Sequence, residues 1–132
     1  MALNLTKVAF GCSEIETLRE RIAWRATQGP AFDMTTRYLP KRFAEMEGGS
    51  LFWIVKHALV ARSPILGFGE AEGGKTAIRL EPRLILVHPL PKRAHQGWRY
   101  LEGKDAPVDL GEGEAGDMPA ELAGKLAGMG LL

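Results

Sequence analysis

Two copies of one basic tetrapeptide, Leu39-Pro40-Lys41-Arg42 and Leu90-Pro91-Lys92-Arg93, each place adjacent cations on a proline-stiffened turn. Such a turn grips phosphate oxygens with little ordering cost. The second copy runs on as Ala94-His95-Gln96-Gly97-Trp98-Arg99-Tyr100, where cations alternate with rings able to stack on bases, as single-stranded nucleic acid requires. The competing reading is structural: Trp98 and Tyr100 pack inward, and the basic pairs cap carbonyls or carboxylates. The candidate phosphate-binding set is therefore Lys41, Arg42, Lys92, Arg93 and Arg99, with Trp98 and Tyr100 as stacking rings.

Other chemistry is sparser. Cys12 lies between an expected strand and helix, where amides and the helix dipole lower a thiol pKa, but a nucleophile also needs a base. Of His57, His88 and His95, the first two fall in or beside apolar strands, and His95, in a polar loop, is the best placed for proton transfer. Gly69-Glu70-Ala71-Glu72-Gly73-Gly74-Lys75-Thr76 fits the phosphate-loop pattern GxxxxGK[ST]. That pattern needs a helix after the lysine, whereas Thr76 to Leu80 alternates like a strand and two glutamates would sit in the cradle, so a plain hairpin is expected. A single cysteine rules out an intrachain disulfide framework and multi-cysteine zinc sites. Neither a metal nor a cofactor is expected.

The net charge of +1 conceals an uneven layout. Residues 37–104 carry twelve basic and six acidic side chains, whereas residues 105–132 carry six acidic ones and only Lys125. The middle of the chain is thus suited to an anion, and the acidic end to competing for the same surface. Solvated faces with no binding role produce the same layout.

At 132 residues, 45% hydrophobic and 25% charged, the chain suits one soluble domain. No apolar run is long enough to span a bilayer and no basic-then-apolar leader is seen, which points to a cytoplasmic protein without a membrane partner. A first strand is expected at Leu5 to Phe10, then a helix from Ser13 to Thr27. Ser13 and Glu16 form its capping box, Ile15, Leu18 and Ile22 its apolar face, and Gly29-Pro30 its stop. Strands follow at Phe32 to Leu39, Ser50 to Ser63 (apolar on both parities), Ile65 to Ala71, Thr76 to Leu80 and Leu84 to Val87, with a helical turn or two in Pro40 to Glu47. After Tyr100 a Gly- and Glu-rich linker leads to a weak amphipathic helix from Pro119 to about Met129. The expected fold class is α+β: an N-terminal strand and helix, then a mostly antiparallel curved sheet or small barrel, with a loosely attached C-terminal helix. Residues 1–110 would form the domain, and 111–132 a flexible acidic tail.

Several of these segments are familiar together. The Gly11-Cys12-Ser13 turn, Pro40-Lys41-Arg42, the run Gly48-Gly49-Ser50-Leu51-Phe52-Trp53-Ile54-Val55-Lys56, the run from Pro91 to Leu101, and Asp105-Ala106-Pro107-Val108-Asp109-Leu110 resemble an uncharacterised bacterial family described only as a domain of unknown function. The resemblance spans about Leu3 to Leu110 and implies no activity, ligand or fold. Where the family pattern has Lys-Gly and Ala-Phe, this chain has Lys56-His57 and Ala94-His95, which shifts weight from the histidines to the basic and aromatic positions. Arg62 to Glu70, with Gly67 and Gly69, is also faintly similar to strands of small RNA-binding barrels of the pseudouridine-synthase-appended type.

Three functions fit these features. The leading one is a small nucleic-acid module, RNA before DNA, or a phosphate-binding module built on the basic loops and stacking rings. The second is a small enzyme acting on an anionic substrate through Cys12 or His95; whether the chain is an enzyme at all stays open. The third is an adaptor whose C-terminal tail docks on a protein partner and folds as it binds.

Overall fold

A computed structural model describes residues 2–9 and 11–110 of the chain. Ile15, Leu18 and Ile22 recur at helical spacing, and the segment that carries them is a helix, α1 (Ile15–Gln28), with those three residues buried on one face. It ends at Gly29, ahead of Pro30. The capping box does not form: Glu14, not Ser13, holds the N-cap position, with no side-chain capping bond. Glu14 is instead engaged by Lys56, whose Nζ lies 2.8 Å from its Oε1.

Among the described residues seven strands make up one sheet: β1 (Asn4–Val8), β2 (Phe32–Thr36), β3 (Ser50–Val55), β4 (Ala58–Glu70), β5 (Thr76–Leu80), β6 (Ile85–Pro91) and β7 (Trp98–Leu101). They lie in the order β2-β5-β4-β3-β1-β7, with β6 also paired to β4. The expected fold class needs correcting here. The sheet is mixed, because β1 and β3 pair in parallel (Leu5 beside Leu51, Val8 beside Ile54), and among the described residues it does not close into a barrel. The parallel pair arises because α1, β2 and a 3-10 turn at Phe43–Met46 all intervene between β1 and β3, and so long a connection lets the chain re-enter the sheet in its original direction. The expected C-terminal helix and the acidic tail fall outside the described residues.

Ser50 to Ser63 is not one strand. β3 turns at Lys56-His57 and returns as β4, whose thirteen residues serve three ladders: Ala58 to Pro64 pair with β3, Ala58 to Arg62 also with β6, and Ile65 to Glu70 with β5. The β3–β4 turn holds both Lys56 (φ 49°) and His57 (φ 61°) in the left-handed region, as a two-residue type I′ hairpin demands. The phosphate-loop look-alike forms the β4–β5 hairpin, closed by an Ala71 amide to Lys75 carbonyl bond of 2.8 Å, with Gly73 and Gly74 at positive φ. No helix follows it.

All six residues of β3 are buried, since each face of the strand meets its own apolar cluster. Leu51, Trp53 and Val55 join the α1 side, where the Trp53 indole N–H donates to Ser63 Oγ at 3.0 Å. Phe52 and Ile54 join Leu59, Val87 and Leu101 on the opposite side. The segment after β7 covers that second cluster: Ala106 packs on it, and the His88 amide bonds to the Val108 carbonyl and the Leu110 amide to the Leu86 carbonyl. Arg62 grips Asp109 through two bonds of 2.8 and 2.7 Å, and also donates to Ser50 Oγ at 2.7 Å. No helix among the described residues is long and apolar enough to cross a membrane.

Candidate nucleic-acid interface

The two tetrapeptides are identical in sequence and opposite in fate. Pro40 is buried, and Arg42 spends its guanidinium within the molecule: 2.7 and 2.8 Å to the Glu45 carboxylate, 2.9 Å to Glu102, and 5.4 Å from the centre of the Tyr100 ring. Its amide also donates to the Tyr100 hydroxyl at 3.3 Å. Arg42 titrates even higher than an ordinary arginine, because hydrogen bonds to Glu45 and then Glu102 favour its charged form. Lys41 remains exposed.

The second copy closes β6 and opens the loop to β7. The Lys92 amide donates to the His57 carbonyl at 2.8 Å, which anchors the loop to the β3–β4 turn. Tyr100 pairs across from Leu5 and Trp98 from Lys7, so the Arg42 cluster and the Lys92 loop lie towards opposite ends of the sheet. Trp98 and Tyr100 touch edge to face, centroids 4.9 Å apart, and both rings are partly buried against the α1-side core. Tyr100 is thus packed between Trp98 and Arg42, whereas Trp98 borders the loop.

His95 is the centre of that loop. Its Nε2 lies 2.8 Å from the hydroxyl of the fully buried Thr6. Nδ1 is enclosed with no well-formed hydrogen bond, although the Gln96 backbone is near enough to favour a protonated ring slightly. Arg99 sits directly across the β1–β7 ladder from Thr6, and Lys7 follows Thr6 in the chain. Desolvation first, and then the positive charges of Arg99, Lys92 and Lys7, hold the His95 pKa below its ordinary value. Burial likewise lowers Lys7. Lys92, Arg93 and Arg99 make no ion pair among the described residues, as is also true of Arg25, Arg37, Lys41, Lys75 and Lys104, whereas Arg19, Arg42, Lys56, Arg62, Arg79 and Arg83 are each matched with a carboxylate. Reasoning from sequence did not find Thr6 or Lys7, because the β1–β7 pairing that brings them to His95 is non-local.

Cys12 is 8% exposed, packed into the α1-side core, and no hydrogen bond joins it to a histidine among the described residues. No group of three or more His, Cys, Asp or Glu side chains is arranged to hold a metal among those residues. A groove of about 970 Å³ beside the second half of β4 is lined by Phe43, Met46, Leu66 and Phe68 among others, and none of the candidate residues lines it.

No curated protein and no solved structure gives a significant match to this chain. A family model does, over residues 5–132, a longer span than the familiar segments cover, and the chain accordingly belongs to the family described as a protein of unknown function, DUF1489.

Proposed function

We propose that this protein binds a phosphate-bearing ligand, RNA foremost, through the β6–β7 loop, with Lys92, Arg93 and Arg99 meeting phosphate oxygens and the accessible part of Trp98 meeting a base. The observation that carries this reading is the grouping of Arg99 and Lys92 around His95, with Arg93 next to Lys92 in the chain and none of the three in an ion pair among the described residues. Cations kept close together without counter-charges repel one another and destabilise the fold slightly, and a bound anion relieves that cost. Arg42 and Tyr100 leave the proposed interface because they hold each other and Glu102 in place. Lys41, at the other end of the sheet, is not required.

The reading predicts binding of short single-stranded RNA that weakens steeply with salt, by about 0.7 of a power of salt concentration for each phosphate neutralised. A fluorescence-anisotropy titration at two salt concentrations, with the intact wild type and with Lys92→Glu/Arg93→Glu, tests it. Salt-insensitive binding, or a folded double variant that binds as well as wild type, refutes it.

A further inference from the structure

We infer that the β6–β7 loop takes up its anion together with a proton, His95 being the group that receives it. This rests on the anion-binding reading above and adds to it a regulatory property.

The surroundings of the ring govern its proton. Nε2 is committed to Thr6 Oγ1, a buried hydroxyl able either to donate to a bare nitrogen or to accept from an N–H. Nδ1 is enclosed and lacks a well-formed bond, with the Gln96 backbone beside it. A doubly protonated ring would place one N–H on Thr6 and turn the other towards Gln96, so local hydrogen bonding accommodates the imidazolium. Burial and nearby charge oppose it. Among the described residues, the charged groups acting on His95 are Arg99 from β7, Lys92 from the loop itself and Lys7 from β1, with no carboxylate among them. Burial is the larger influence keeping the ring neutral and persists in the complex, but an anion seated among these cations cancels the part that their charges supply. His95 then titrates at a higher pH in the complex than in the free protein, and one proton enters from solvent. By linkage, affinity rises as pH falls between the bound-state and free-state pKa values, by at most tenfold per pH unit, and is flat on either side.

The probe is a uridine-only RNA oligonucleotide, none of whose groups titrates between about pH 5 and 8, the range in which histidine does. Its affinity for the intact chain is measured across that range, alongside His95→Phe, His95→Gln and the control His57→Gln. The ring of His95 is also titrated by NMR with and without saturating oligonucleotide. Wild type and His57→Gln are expected to bind more tightly as pH falls, both His95 variants to lose the slope whatever their absolute affinity, and the ring to titrate at higher pH in the complex. A slope that survives in a folded His95 variant, a flat wild-type profile, or an unchanged ring titration overturns the inference while leaving salt-sensitive binding intact. Absence of binding at every pH overturns the underlying reading as well.

Discussion

Replacing Gly49 with alanine should be far more damaging than replacing its neighbour Gly48, and the structure supplies the difference. Gly49 lies where the entry to β1, the 3-10 turn and the starts of β3 and β4's second half converge: its amide bonds to the Met46 carbonyl, and its carbonyl accepts from Ile65. A Cβ there would stand 2.2 Å from the Leu3 carbonyl oxygen and 3.0 Å from that of Met46. An ordinary carbon–oxygen approach is about 3.3 Å or more, so the overlap with Leu3 is about 1 Å. Leu3 cannot swing away as a side chain would. It must shift its backbone, endangering the bond from its amide to the Glu45 carbonyl and the one from the Ser50 amide to Asn4 Oδ1, both 2.9 Å or shorter. Overpacking of this kind costs about 1–3 kcal/mol and each weakened buried hydrogen bond about 1 kcal/mol, which gives roughly 3 kcal/mol in all. At Gly48 an added Cβ meets nothing within 4 Å, and only its φ of +82° opposes alanine, at about 1 kcal/mol. Thermal and guanidinium unfolding followed by circular dichroism should therefore separate the two variants by about 2 kcal/mol. Equal stabilities, within about 0.5 kcal/mol, would show that the crossing of these backbones is not as tight as described.

Other perturbations follow from the same geometry. His57→Gly relieves a left-handed residue in the β3–β4 turn and should stabilise the protein by about 0.5–1 kcal/mol after the unfolded chain's added freedom is deducted, as read by urea unfolding; no gain would contradict the turn assignment. Arg62→Ala and Asp109→Ala should show a coupling of about 0.5–1.5 kcal/mol in a double-mutant cycle, modest because Asp109 is partly solvated; additivity would remove the strap over the second core face. The Asp109 carboxyl is held below its ordinary value by hydrogen bonds from Arg62, so its contribution is present above the unfolded-state pKa and lost as pH falls through the folded one. Wild type should thus lose stability below about pH 4 more steeply than Asp109→Asn does, in an acid titration monitored by tryptophan fluorescence. Arg42→Gln should destabilise the fold in thermal unfolding yet leave RNA affinity unchanged; loss of affinity in a folded variant would return Arg42 to the interface.

How much of this was legible beforehand depended on how local the cause was. Helix α1 follows from Ile15, Leu18 and Ile22 and from Gly29-Pro30, all within one segment. The β4–β5 hairpin likewise follows from the glycines at 73 and 74 and the alternation after Lys75. The β3–β4 turn was hidden because its two left-handed positions are filled by lysine and histidine, which carry no turn signal. β7 was hidden because Trp98-Arg99-Tyr100 alternates over only a few residues, and its pairing with β1 is set by contacts nearly a hundred positions away. That pairing also assembles Thr6, His95 and Arg99. The differing fates of the tetrapeptides had one readable sign: Glu45 lies three residues after Arg42, within reach of a salt bridge, while no acid follows Arg93 before Glu102. The other Arg42 partners, Tyr100 and Glu102, are 58 and 60 positions on and could not be inferred from spacing.

The most direct test of the proposed interface is a map of backbone amide shifts as a short single-stranded RNA is titrated into the intact, isotope-labelled protein. Shifts concentrated at Thr6, Lys7 and Lys92 to Arg99, fading as salt is raised, with Arg37 to Glu45 unmoved, are the predicted result. Shifts centred on the Arg42 cluster instead, or none at low salt, would contradict the assignment of the β6–β7 loop as the binding surface.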